Sequence, residues 1–172
     1  MSEYKRIFQP GGCYFFTVVT HNRHPWLTEE HAIDRLRQAF RRVMEERPFS
    51  TEAIVILPDH LHCIWRLPDG DDDFPERWRQ IKRFVSIGLK SPLNARKEKM
   101  LWQKRYWEHL IRDEDDWRNH MDYVHYNPVR HGYASSPADW RHSSFERAMK
   151  NGLYDANWGK HEPASISELD FE

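Results

Sequence analysis

His60 and His62 stand one residue apart in Pro58-Asp59-His60-Leu61-His62-Cys63-Ile64-Trp65. On an extended strand, side chains at i and i+2 leave the same face of the sheet. The spacing therefore sets two imidazoles side by side, where one small metal ion can bridge them. Cys63, next to His62, leaves the opposite face, and no third His or Cys stands by the pair to close a tetrahedral zinc site, so positions on such an ion stay open for substrate oxygens. Well downstream lies Tyr123-Val124-His125-Tyr126-Asn127-Pro128-Val129-Arg130. If that stretch is helical, His120, Tyr123 and Asn127 at i, i+3 and i+7 share a face. Trp117, Met121 and Val124 take another. Asn127 offers an amide oxygen, an acceptable third ligand for a hard ion, and Tyr123 offers a phenol. A phenolate can attack a phosphodiester and become covalently joined to the phosphate. A divalent ion on the histidines polarises that phosphate and steadies charge on the departing 3′ oxygen. No water enters, so the product is a 5′ phosphotyrosine and the step is reversible. Taken singly, each group has a blander reading: two histidines without a ligand, and a half-buried packing tyrosine, with Tyr126 and Tyr133 as competitors.

Charge points the same way. The net charge is −1, but eleven Lys/Arg fall between Arg77 and Arg112 against Glu98 and Glu108. Trp78, Phe84, Trp102, Tyr106 and Trp107 are interleaved with them. A basic strip with flat rings suits a strand of phosphates with stacked bases, although many charge runs are only solvated faces. Arg79, Lys82, Arg83, Lys104, Arg105 and Trp107 are the expected DNA-binding residues.

These groups need a scaffold. Cys13 to Thr20, Glu52 to Leu57, His60 to Leu67 and Tyr106 to Ile111 read as strands. Helical periodicity runs from about 29 to 46 behind an N-cap at Thr28, again through Trp78, Ile81, Val85 and Leu89, and from Asp113 to just past Pro128. The order is strand, helix, strand, strand, helix, strand, then an extra helix. That predicts an α+β fold: a ferredoxin-like βαββαβ sandwich with an antiparallel sheet, plus an additional C-terminal helix bearing Tyr123. At 172 residues, one catalytic domain over 1–160 is expected. Trp140, Phe145 and Trp158 anchor irregular wrapping, and an acidic segment over 161–172 is expected to be mobile. No apolar run reaches membrane-spanning length, no apolar signal region follows the start, and Cys13 and Cys63 form no CxxC pair. A cytoplasmic protein is the simplest expectation.

The residues resemble a known family. Pro58-Asp59-His60-Leu61-His62 matches the His-hydrophobic-His (HUH) motif, and Tyr123-x-x-x-Asn127-Pro128-Val129-x-x-Gly132 matches the tyrosine helix of single-tyrosine HUH transposases. The chain looks most like the bacterial REP-associated tyrosine transposases. The similarity takes in Met1-Ser2-Glu3-Tyr4, Gly11-Gly12, Arg47-Pro48-Phe49, Leu67 to Phe74, Trp107-Glu108-His109 and Asp139-Trp140. The resemblance implies a single-stranded DNA endonuclease and strand transferase. Such an enzyme nicks and rejoins DNA beside REP-type hairpins carrying a short guide sequence. It implies Mg²⁺ or Mn²⁺ as cofactor, His60 and His62 as metal ligands, Tyr123 as nucleophile, and Asn127 where some relatives place a glutamine ligand. It also implies a monomer, with a dimer sharing active sites in trans, as in related insertion-sequence enzymes, as the open alternative. Imidazole suits Mn²⁺ better than Mg²⁺.

Two other classes compete with this reading: a hairpin-binding protein without useful catalysis, and a metal-dependent hydrolase using His60 and His62 with a water nucleophile. The acidic segment carries one further expectation, that Glu162 to Glu172 lies in the basic groove as a DNA mimic and restrains activity.

Overall fold

Alternation along Cys13–Val19 (β1) sends Tyr14, Phe16 and Val18 to one side of a sheet and Cys13 and Phe15 to the other, with all seven residues buried. The computed structural model describes residues 5–172, so the Met1 to Tyr4 match lies outside the described residues. After β1 come α1 (Glu30–Glu46), β2 (Ser50–Ile56), β3 (His60–Arg66), α2 (Phe74–Ile87), β4 (Trp107–Leu110), α3 (Glu114–Arg130) and a short α4 (Phe145–Lys150). The sheet order is β2-β3-β1-β4 and every pairing is antiparallel. This is the expected βαββαβ sandwich. Helices α1 and α2 cover the face carrying Leu61, Cys63 and Trp65. Helix α3 covers the opposite face, which carries Phe15, Ala53, Val55 and Ile64. Both cysteines are buried and unpaired.

Capping follows local chemistry. Asp73 accepts from the Glu76 N–H at the start of α2, and Asp113 accepts from the Asp116 N–H at the start of α3. Thr28 does not cap α1; Glu29 takes that place with no side-chain cap. Pro128 sits in the last turn of α3, where its missing N–H removes one i→i−4 bond just before the helix ends. The helix then closes through Gly132 at φ +73°, with Gly132 N–H to Val129 O and Tyr133 N–H to Pro128 O both at 2.9 Å. Those two bonds make a Schellman turn, which needs a residue at ease with positive φ.

Two segments carry more order than their composition predicts. Residues 142–144 run beside β2, with Ile56 N–H to His142 O at 2.8 Å and Ser144 N–H to Ile54 O at 2.9 Å, and so cover an open sheet edge. The stretch 161–172, expected to be mobile, lies along α3. Ile166 is fully buried in the α3-side core, and Arg130 donates to Leu169 O at 2.6 Å. Burying one isoleucine is worth about 1.5–3 kcal/mol, and Leu169 and Phe171, packed on the same core, add to it in holding the acidic strap against α3. Among the described residues, no helix is long and apolar enough to cross a membrane.

Candidate active site

The register of the sheet builds the site. β3 opens at His60, opposite Val19, and Thr17 of β1 stands between His62 on one side and Trp107 on the other. His60 and His62 face α3 with ring centroids 4.9 Å apart, and both are buried. Asp59 holds His60 Nδ1 at 2.7 Å, and Arg23 steadies the other Asp59 oxygen at 3.1 Å. A carboxylate only accepts, so Nδ1 carries the proton and a neutral His60 keeps its lone pair on Nε2. Thr17 does the same for His62 through its hydroxyl. Its Oγ1 donates its single proton to the carbonyl of Phe171 at 2.9 Å, so it must accept from His62 Nδ1 at 2.9 Å. The His62 lone pair is therefore also on Nε2.

Helix α3 brings the other partners. Tyr123 lies edge-on to His62 with centroids 5.2 Å apart. Its hydroxyl donates to Glu172 Oε1 at 3.3 Å and accepts the Phe171 N–H at 3.3 Å. Asn127 Nδ2 donates to the same Glu172 oxygen at 3.3 Å, and His131 Nε2 reaches it at 2.6 Å. His60 and His62 Nε2 stand 3.5 and 3.6 Å from it, too far for a hydrogen bond. One carboxylate oxygen is thus ringed by the four residues read from the sequence and by His131. Tyr123 is fully buried because Phe171 and Glu172 close the pocket over it.

The electrostatics fit this closed arrangement. Burial takes the His62 pKa down to about 4, helped by the neighbouring His60 and His131 and opposed by Glu172. Burial also works against a charge on His60, but the Glu172 and Asp59 carboxylates outweigh it and raise its pKa. Glu172 is held far below the carboxylate range: burial opposes its charge, and His131, His60 and His62 overcome it. Burial lifts the Tyr123 phenol above its ordinary value, and Glu172 adds to this. The Phe171 N–H and the Arg130 guanidinium, 5.5 Å from the ring, pull it partly back.

The donor set fits a metal. Among the described residues, His60 Nε2, His62 Nε2 and Asn127 Oδ1 are buried without a hydrogen-bond partner. Two imidazole lone pairs and an amide oxygen are what a divalent ion accepts. The ligand atoms of His60, His62 and Glu172 also lie within 4.8 Å of one another.

A family model described as "Transposase IS200 like" matches residues 11–127, which hold both histidines, Tyr123 and Asn127. The REP-associated tyrosine transposase of Escherichia coli K12 is 46% identical over 161 residues, covering 92% of this chain and 91% of its own. A putative REP-associated tyrosine transposase of Haemophilus influenzae is 42% identical over 167 residues, covering 92% and 94%. The chain belongs to the REP-associated tyrosine transposases. A solved structure of a REP-associated tyrosine transposase bound to a REP hairpin superposes on it with a TM-score of 0.82 at 41% identity, covering 99% of both chains.

The basic strip of this transposase divides in two. Arg79, Lys82 and Arg83 lie on α2, across the sheet from the histidines, and Arg79 is engaged by Glu76 at 2.6 Å. Lys82, Arg83, Lys99, Trp102 and Lys104 line a cleft of about 830 Å³. Arg105 is exposed beside Lys104. Trp107 instead stands on the α3 face, in the cross-strand row with Thr17 and His62. Thr20 bridges to Trp102, so the cleft begins at the end of β1 that faces His60.

Sequence reasoning passed over Asp59, Thr17, His131 and the position of Glu172. Asp59 had a signal, an acid next to the first histidine. Thr17 becomes visible only once the β1–β3 register is known. The acidic segment does not lie in the basic cleft; its last carboxylate sits against the histidines.

Proposed function

We propose that the chain nicks and rejoins single-stranded DNA beside REP-type hairpins through a 5′ phosphotyrosine on Tyr123. The observation that carries this is the meeting of the Tyr123 hydroxyl with the lone-pair nitrogens of His60 and His62 around one anionic oxygen. That oxygen stands in for an oxygen of the scissile phosphate. The phenol loses its proton as its oxygen attacks phosphorus, and the departing 3′ oxygen gains one. Because burial disfavours the phenolate, the attack needs the positive charge that the Arg130 guanidinium supplies beside the ring. His60, His62 and Asn127 would hold a divalent ion, Mn²⁺ or Mg²⁺, with imidazole favouring Mn²⁺. When bound, such an ion polarises the phosphate and stabilises the leaving oxygen. The cleft of Lys82, Arg83, Lys99, Trp102 and Lys104 receives the hairpin stem or its flank by phosphate contacts and stacking.

The pocket is assembled within one chain, which supports a monomeric enzyme. In the closed arrangement the 161–172 segment fills it, and the transposase must release that segment before a strand can enter. The test is a covalent adduct. Labelled hairpin strand incubated with protein and Mn²⁺ should yield a protein-linked 5′ product, and Tyr123→Phe should yield none. An adduct that persists in Tyr123→Phe, or products free of protein with Tyr123→Phe as active as the parent, refutes the assignment.

A further inference from the structure

Phe171 is held in a manner that tail anchoring does not require. Its ring is stacked against Trp107 at 5.1 Å and 17°, and against His120 at 4.8 Å and 14°. Tyr123 meets it edge-on at 4.8 Å, and Phe15 closes its side at 5.2 Å. Trp107 and His120 thus present parallel faces to one flat ring, with His109 stacked on both of them. The next residue, Glu172, places its anionic oxygen at the histidines and Tyr123. A flat ring followed at once by an anion is the outline of a nucleotide.

The wall of this slot has a polar atom with no present use. His120 Nδ1 lies 2.7 Å from the Asp116 carbonyl, which can only accept, so Nδ1 carries the proton and Nε2 carries a lone pair. That Nε2 is buried and unpartnered among the described residues. A ring stacked on His120, phenyl or base, meets its face and leaves this in-plane lone pair open, so the imidazole serves the slot through its flat face.

We infer that Trp107 and His120 form a nucleobase slot, occupied here by Phe171, that takes the base flanking the scissile phosphate. This rests on the strand-transfer reading above. The slot registers the strand: a base seated between Trp107 and His120 fixes which phosphate lies at Tyr123, because Trp107, Thr17 and His62 form one row across β4, β1 and β3. Stacking is tolerant of base identity, so the slot sets position, and Trp107 and His120 are positioning residues.

The test uses the hairpin strand whose cleavage site the Tyr123 adduct has mapped, at single turnover with Mn²⁺. Removing the base at the flanking nucleotide should lower kcat/KM by about 5- to 150-fold, the span of one base–aromatic stack. Trp107→Ala should cost a similar factor on the intact strand and almost nothing further on the abasic one, a non-additivity that general damage to the fold would not produce. A Tyr123→Phe protein gives a readout without chemistry. 2-Aminopurine at the flanking position should be quenched on binding, more strongly when Phe171→Ala is added, and quenching should vanish with Trp107→Ala. If Trp107→Ala fails to fold, the abasic strand and Phe171→Ala still decide the matter. Equal cleavage of abasic and intact strands, with unquenched 2-aminopurine on both sides of the cut, overturns the slot while the adduct upholds the chemistry. Absence of any adduct overturns the chemistry, and quenching on Tyr123→Phe then reports the slot independently.

Discussion

Replacing Glu172 with glutamine tests what the closing segment does. Glu172 Oε1 is surrounded by His131 at 2.6 Å, Tyr123 and Asn127 at 3.3 Å, and the two ligand histidines at 3.5 and 3.6 Å. Glutamine keeps an acceptor oxygen and the side-chain shape but removes the charge. A charge-assisted hydrogen bond exceeds a neutral one by roughly 1–2 kcal/mol. The Glu172 and His131 side chains are 14% and 28% exposed, so solvent trims but does not erase the difference. A loss of about 1–2 kcal/mol shifts the closed-to-open balance roughly 5- to 30-fold. Single-turnover adduct formation on a labelled hairpin strand should accelerate by that factor, up to the point where the open form predominates. Added salt should narrow the gap by weakening the parent's closure. Equal rates would refute restraint by this segment. A slower Glu172→Gln protein that also binds Mn²⁺ more weakly would show that the carboxylate is a metal ligand, a role its place within 4.8 Å of both histidine nitrogens also permits.

Further outcomes follow from neighbouring contacts. Thr17→Val and Asp59→Asn, each made alongside Glu172→Gln, should weaken Mn²⁺ binding about 10- to 100-fold by calorimetry, since each frees a ligand ring from its orienting partner; unchanged affinity refutes the tautomer assignment. Lys82 has its pKa lowered to about 8 by burial and by Arg6, and its Nζ stands 3.1 Å from Gln103 O. It is charged below that pH and neutral above it. Hairpin affinity should therefore fall by roughly one phosphate contact between pH 7 and 9.5, with a shallower salt slope, and Lys82→Arg should abolish the fall; a pH-independent parent refutes the contact. Arg77 is fully buried and donates to Asp71, Asp73 O, Pro48 O and Arg47 O. Arg77→Ala should cost about 3 kcal/mol in urea unfolding, because it strands these acceptors; a cost below about 1 kcal/mol would mean water replaces the guanidinium.

Local rules made much of the site legible. The i, i+2 spacing put His60 and His62 on one face, and the i, i+4 relation of Tyr123 and Asn127 put both on the side of α3 that meets them. The four strands and three long helices followed from apolar periodicity. Contacts set by distant register were not legible. Thr17 reaches His62 only because β1 and β3 pair in one alignment, and nothing near Glu172 in sequence tells which pocket it enters. Composition alone read 161–172 as solvated, since Ile166, Leu169 and Phe171 are too sparse to register as a pattern, yet each finds a place on the α3 side. The basic strip was legible as charge but not as place. Sequence density of charge carries no information about the face, and α2 places Arg79, Lys82 and Arg83 behind the sheet.

The Thr17 hydroxyl has one lasting consequence. Its oxygen receives from His62 while the Phe171 carbonyl takes its hydrogen. Departure of the strap removes that acceptor, and with it the contact that turns the hydroxyl hydrogen away from the imidazole. Unlatching thus loosens the proton placement on the coordinating ring as well as opening the pocket, and a cation held at Nε2 would take over the task of keeping the proton on Nδ1.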